Sequence, residues 1–343
     1  MAFAPTELGE KIGMVLTSTT QNVISGTVAD NVTNGLILFH WLNMNGRKKT
    51  LSGGTHISLP VMLALNSTAR SYRGYDVASF SAQEGITTAN YPWRQNRVFI
   101  TISGLENFQN MGEHQLINLL SMKIDQAVLS QRKEIQRQAY LLGSGNDYRD
   151  ILGLAQIVHI APSTNTVGMI STTNSAWRNI AVDDDTGTAA ASWAAMRHKM
   201  RNIWNRCSRG HDTPTLLLGR QEVYEYYEGS LLVNERFMGQ DVVSGEFEGL
   251  MFKGAPFFYD PDMPLLSNVY ASGASAGEYH VYFLNHKHLW YCVAKGVDFS
   301  PGKFQRPVGQ DAWVGDVRTY SNLCCDLRGS QGVYFDIPTT LTS

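Results

Sequence analysis

The sequence predicts an α+β protein in which one domain is inserted into another, and three observations carry that reading. An unbroken helical pattern covers residues 113–142, with Gly112 before it, Gly143 after it and neither proline nor glycine inside. At ~1.5 Å per residue such a helix is ~45 Å long, more than one small core can wrap, so it reads as a strut across an extended body. Strand-like stretches lie on both sides of the middle of the chain, at 97–103 and again from 280 onward, which is most simply a sheet drawn from both chain ends around an insertion. Between the first strands and the strut, residues 67–95 are polar, aromatic and only weakly alternating, a poor pattern for an independent core.

Taken in order, residues 1–54 are poor in charge, and their apolar pieces at 23–32 and 36–42 need a partner, so this stretch reads as an N-terminal arm lying on the body or on a neighbour. Residues 56–66 read as a strand pair. The segment 67–95 mixes Tyr72, Tyr75, Phe80, Tyr91 and Trp93 with Arg70, Arg73 and Arg94, and Gly74 and Gly85 break it into hairpin-like pieces. Aromatic residues interleaved with arginine are the composition of an interface. On the strut, Ile117, Leu120, Ile124, Val128, Ile135, Ala139 and Leu142 form one stripe, interrupted at Gln131. Its other face carries Lys123, Asp125, Arg132, Lys133, Glu134 and Arg137, which excludes a membrane span.

Beyond the strut a strand is expected at 155–161, and Asp183, Asp184 and Asp185 read as a solvated turn, since three consecutive carboxylates cannot all face one cation from a regular backbone. An amphipathic helix follows, with Trp193, Met196, Met200, Ile203, Trp204 and Cys207 inward and Arg197, Lys199, Arg201 and Arg206 elsewhere. That basic face is either a contact to DNA or a subunit seam, or simply solvated surface. A buried strand at 215–218, a short helix at 220–228, a hairpin at 249–260 and strands at 280–284 and 289–294 come next. From 312 to 335, strand pieces are expected to alternate through VGD and RGSQG turns.

The 343 residues suffice for two domains, and 43% hydrophobic with 17% charged residues describes a globular chain. A net charge of −2 shows no global basic excess. The four cysteines form no CxxC pair and read as buried thiols in a reducing compartment. The N-terminus lacks a basic region followed by an apolar one, so the expectation is a soluble protein made in a cytoplasm and not exported. Phosphate-loop, dinucleotide, zinc-protease and nucleophile-elbow motifs are missing. His286 and His288 make an HxH pair with no acid or cysteine beside them in sequence, and Cys207 sits on an apolar stripe near His198 and His211. No catalytic, cofactor-binding or metal-binding residue is therefore assigned, and an enzyme, a hydrolase or metal enzyme with an unfamiliar site, is the least favoured class.

Several stretches together resemble one family. These are SGLENFQNMGEHQL entering the strut, LGLAQIV after it, AWRN at 176–179, FKGAPFFYDPDMP at 252–264, YFLNHKHL at 282–289 and RGSQGVYFDI at 328–337. Their order and spacing are similar to those of tailed-phage major capsid proteins of the HK-ninety-seven (Johnson) fold. The resemblance implies an arm at 1–54, an extended two-stranded loop at 67–95, and a peripheral domain from 55–66, 96–153 and 286–343 built on the strut as spine helix. It also implies an axial domain at 154–285. The implied function is a shell protein that assembles through pentamers and hexamers around packaged double-stranded DNA, without cofactor or membrane. The implied partners are other copies of itself, with scaffolding, portal and decoration proteins. The lack of a long charged N-terminal extension points to a separate scaffolding protein or none. A cellular encapsulin-like compartment is the alternative within the fold.

Some relatives link their subunits through a lysine of the extended loop and a neighbour's asparagine, a reaction that needs a deprotonated amine. Residues 67–95 contain arginine but no lysine, and arginine stays protonated. Purified mature particles boiled in detergent should therefore run at the chain mass, 38.1 kDa. A reductant-resistant ladder of pentamers and hexamers would defeat this expectation.

Overall fold

The computed structural model describes residues 37–77, 82–109, 119–184, 193–231, 250–270 and 278–338. The chain enters through helix α1 (Ile37–Met44) and strand β1 (Lys48–Leu51), runs out and back through β2 (His56–Met62) and β3 (Ile86–Pro92), and continues into β4 (Arg94–Ser103), α2 (Gly104–Gln109) and the strut α3 (Leu119–Ala139). Next come β5 (Ile180–Asp183), α4 (Trp193–Cys207), β6 (Leu216–Gly219), α5 (Gln221–Ser230), β7 (Leu250–Phe252), β8 (Ala255–Tyr259) and β9 (Tyr279–Leu284). The chain closes with β10 (Leu289–Ala294), β11 (Ser300–Pro301), β12 (Ala312–Cys325) and β13 (Gly332–Ile337).

Two main sheets organise these elements. In the first, β12 is the central strand: β4 pairs antiparallel with its stretch from Ala312 to Ser321, β11 pairs with Val317 and Arg318 and β10 with Ser321 to Cys325 along its other edge, and β1 lies parallel to β10. In the second the order is β5-β13-β9-β6-β8-β7. The period of two in β6 divides its side chains between two cores. Leu217 faces α4 and α5 with Met196, Met200, Ile203, Trp204 and Cys207, so the inward stripe of the amphipathic helix is as expected. Leu216 and Leu218 face the other way, into a core shared with Ile135, Ala139 and Tyr140 at the end of α3, with α1, and with Leu289, Tyr291 and Leu323 of the first sheet. One continuous core thus joins both sheets and the strut.

Several sequence expectations change. Residues 1–36, Phe80, residues 113–118 of the strut, Asp185 and the side chain of Trp193 lie outside the described residues. From Ile37 onward the expected arm belongs to the body: Ile37, Leu38, Trp41 and Leu42 are buried and β1 extends the first sheet. Residues 56–62 form one strand whose partner is β3, not a pair of strands, so the two-stranded ribbon starts at His56. The expected strand at 155–161 is a single helical turn, Leu154–Ile157, leading into a loop, since a short apolar run has no period that separates the two. The VGD turn does not exist. β12 runs straight through Gly315, where a side chain would meet the Phe304 ring at 2.7 Å. The last strand, β13, grouped by sequence with the peripheral domain, pairs with β9 and β5 in the second sheet.

The strut buries unequal halves. Towards its N-terminus Leu120 is exposed, and Ile124 and Val128 are half-buried against Ile100 and Val317 of the first sheet. Gln131, the interruption in the stripe, is only 1% exposed and donates from Nε2 to the Asn96 carbonyl at 3.0 Å, so the buried face continues across a polar residue. At the C-terminal end Gln136 and Tyr140 both donate to Oδ2 of the buried Asp260 at 2.5 Å, tying the strut to the second sheet's β8 turn.

Arg328 is fully buried between β12 and β13. Its guanidinium donates to the carbonyls of Ile157 at 2.8 Å and Trp177 at 3.1 Å and to Oδ1 of Asn179 at 3.0 Å. Burial depresses its pKa, and the planar fork reaches three acceptors on two segments at once. Replacing it by methionine strands those acceptors, so Arg328→Met should cost about 3–5 kcal/mol, with Arg328→Lys recovering only part. Urea midpoints measure this; a methionine variant within ~1 kcal/mol of wild type would refute the assigned role.

Candidate assembly surfaces

The ribbon β2–β3 pairs in register from His56 with Pro92 to Met62 with Ile86. Alternation gives its base one inward face: Ile57, Val61, Ala89 and Tyr91 pack with Val167, Ile170, Trp177, Cys292 and Cys324. Tyr91, expected at an interface, is instead a core residue of the subunit. It is 1% exposed, donates its hydroxyl to the Cys325 carbonyl at 2.6 Å and accepts from the Cys325 amide at 3.3 Å. Trp93 is half-buried on the same cluster, its indole donating to the Gly54 carbonyl at 2.9 Å, and Arg94 already belongs to β4.

Past Met62 the ribbon leaves the body. Tyr72 is 82% exposed and Tyr75 fully so, with Arg70 and Arg73 exposed beside them. Local contacts shape the tip: Arg70 donates to the Val77 carbonyl at 2.6 Å, and Asp76 accepts from the Arg73 amide at 2.7 Å. Sequence reading missed the exposure of Met62, Leu65, Val77 and Ile86, which add apolar side chains to an otherwise polar projection. It also missed Leu105, Phe108 and Trp313, exposed at the far end of the β4–β12 pair. Strand alternation with no second layer to cover one side was the available signal.

The basic helix face is only partly open. Lys199 forms an ion pair with Asp184, which is 1% exposed, so Asp184 is a buried partner and not part of a solvated turn. Arg197 donates to the Ser230 carbonyl at 3.2 Å and Arg201 to the Arg197 carbonyl at 3.3 Å. Arg201 and Arg206 are the exposed members. All four cysteines are buried free thiols, and burial pushes Cys207 up to about 12. Among the described residues no group of three or more His, Cys, Asp or Glu could hold a metal ion. No described helix is long and apolar enough to cross a membrane.

The HxH pair lies on a 3-10 turn between β9 and β10, not on a strand, and acids do stand beside it. His288 bridges Asp326 through Nδ1 and Asp212 through Nε2, both at 2.8 Å, while Lys287 reaches Asp212 at 2.9 Å. His286 meets Thr215 Oγ1 at 2.8 Å. The hydrogen bond to Asp326, against the pull of burial and with Asp212 assisting, raises the imidazole pKa. For Asp212, burial is outweighed by hydrogen bonds from Asn285, Lys287 and His288, and the carboxyl falls to about 2.

No protein-family model and no curated protein sequence matches the chain. Solved structures do. A chain of the cyanophage A-1(L) capsid asymmetric unit is 16% identical, with a TM-score of 0.64 over 92% of this chain and 97% of that one. The capsid of Myoviridae phage XM1 is 11% identical, with a TM-score of 0.54 over 98% and 99%. The holo-SrpI encapsulin complex from Synechococcus elongatus is 8% identical, with a TM-score of 0.53 over 100% and 99%. Phage capsids dominate these likenesses, and the chain has the HK-ninety-seven-like fold, an α+β architecture with spine helix and projecting ribbon.

Because His288 binds its proton more tightly folded than unfolded, its stabilisation is complete below the ordinary histidine value of ~6.5 and is lost as pH rises through the raised folded value. The stability gap between wild type and His288→Gln should be wider at pH 6 than at pH 8 by on the order of 1 kcal/mol. Urea titrations at the two pH values measure it, and a gap that does not narrow as pH rises would contradict the bridged geometry.

Proposed function

We propose that this chain is the major capsid protein of a tailed double-stranded DNA bacteriophage, assembling through pentamers and hexamers into an icosahedral shell around the genome. The observation that carries the reading is the fold shared over 92% of the chain with a cyanophage capsid subunit, combined with a ribbon that projects from the body and exposes Leu65, Tyr72, Tyr75 and Val77. Such surface is a liability on a lone subunit and a contact on a repeating one. Each ribbon buries a modest area on a neighbour, and closed symmetry makes many ordinary contacts collectively strong.

In this reading Arg70, Tyr72, Arg73, Tyr75 and Phe80 contact neighbouring subunits, while Trp93 and Arg94 stand at the ribbon's root. Arg201 and Arg206, with Arg197 and Lys199 behind them, meet a seam or the packaged DNA without sequence preference. The second sheet is the axial part and the first sheet with the spine helix the peripheral part. The chain does no chemistry, acts in the virion and is assembled in the host bacterial cytoplasm, with scaffolding, portal and decoration proteins as further partners. The likeness to an encapsulin complex over the whole chain favours a second reading, a cellular compartment shell.

Negative-stain microscopy of the expressed chain should show closed shells of uniform diameter. Co-purification of a cargo protein with no DNA in natively produced particles would favour the compartment. Replacing residues 65–83 by a short glycine turn keeps β2, β3 and Tyr91, and should leave circular dichroism unchanged while abolishing shells. Shells formed normally by that shortened chain, or only small oligomers from wild type, would sink the proposal.

A further inference from the structure

A cleft of about 700 Å³ opens between β4, β12 and the turn that follows the spine helix. Arg94, Arg97, Arg149 and Arg318 line it against one carboxylate, Asp316, in a chain whose net charge is −2. The rest of the chain is correspondingly acidic. Arg97 and Arg318 stand directly opposite in the β4–β12 register, an arrangement of like charges that a sheet ordinarily avoids. Arg318 grips Asp316 with two hydrogen bonds, at 2.5 Å and 3.0 Å, so the one acid in the lining is already engaged.

Two further observations point to a missing partner. The Nε of Arg94 is buried without a hydrogen bond, and the acid behind it, Asp150, is buried and shared with Arg137. At the mouth, Asn146, Asp147 and Tyr148 are three consecutive non-glycine residues in the left-handed region, with φ of 50°, 55° and 59°. A bulky aromatic at such an angle is an outlier that the surroundings must enforce. Gly145 lets the turn close over Asp150, whose Oδ2 would lie 2.1 Å from an added Cβ. This conformation holds Arg149 at the rim and leaves Tyr148 69% exposed.

We propose that the cleft receives an aspartate or glutamate side chain from a second copy of this chain, an intersubunit contact that rests on the shell-forming reading above. Guanidinium forks match a carboxylate in two hydrogen bonds, and flanking Trp93 and Tyr320 supply the aromatic rim common at protein contacts. Duplex DNA fits poorly. A rigid duplex presents many phosphates along an extended line, whereas this cleft gathers its guanidinium groups in one small patch that already contains an acid.

The test pairs two variants on the full chain. Arg97→Glu with Arg149→Glu alters exposed side chains only, so circular dichroism and the melting temperature should match wild type, while particle yield at physiological salt should fall at least tenfold. Arg97→Lys with Arg149→Lys should preserve assembly and place amines in the cleft. A zero-length carbodiimide should then join position 97 or 149 to an Asp- or Glu-bearing peptide, and mixing isotopically light and heavy copies should show the link to be between copies. Charge-reversed chain assembling like wild type, coupling confined to one copy, or loss of DNA retention at unchanged particle yield would each overturn the proposal. If wild type forms only a smaller oligomer, the shell reading fails while coupling still decides the cleft; if it forms no oligomer, both fall together.

Discussion

The buried amide of Gln331 joins two of the places where the chain passes from one sheet to the other. Its Oε1 accepts from the Asn285 amide at 2.8 Å and its Nε2 donates to the Asn285 carbonyl at 3.1 Å, so the β9-to-β10 passage and the β12-to-β13 passage are held edge to edge. Backbone polar groups at such a crossing cannot join either ladder and, once buried, need partners of their own. Gln331 supplies them here, Arg328 three residues earlier ties the crossing to the Ile157 and Trp177 carbonyls, and the Gln331 carbonyl accepts from Ile180 to start the β5 pairing. With the crossings fixed, the inner faces of both sheets can share one core, and the end of the spine helix and α1 have a surface to pack on.

Much of this was legible in sequence where the signal was long or periodic. The spine helix, the α4 stripe, the β7–β8 hairpin and strands β9 and β10 announce themselves through spacing and glycine. What escaped was set by residues distant in the chain. Gln131 looks like a break because its partner, the Asn96 carbonyl, is on another element. Gly315 looks like a turn because nothing local reveals the Phe304 ring lying on it. His288 looks isolated because Asp212 and Asp326 are 76 and 38 residues away. Nothing in GVYFDI says which of two sheets β13 will join, since both offer an apolar edge. Among the candidate surface residues, composition pointed to residues 67–95, but the ribbon begins at His56 and the period of two sends Tyr91 inward, and only the fold could tell which aromatic that would be.

This division also explains why likeness is found in structure and not in sequence. A catalytic site fixes residue types in space, whereas a packed core and a contact surface fix only volume, polarity pattern and complementarity. A cyanophage capsid subunit can therefore keep the fold at 16% identity. Among the described residues, geometry constrains the buried Arg328, Gln331 and Asp260 and the left-handed turn at 146–148 in this way.

The anchoring of Tyr91 gives the ribbon a mechanical character. Both hydrogen bonds from its hydroxyl end on Cys325, the last residue of β12, and the strand that follows it, β4, is zipped to the same β12 from Arg94 with Ser321 to Ser103 with Ala312. The root of the ribbon is therefore no loose linker: a displacement at its base is coupled to the central strand of the first sheet and, through the adjoining crossing at Gln331, to the second.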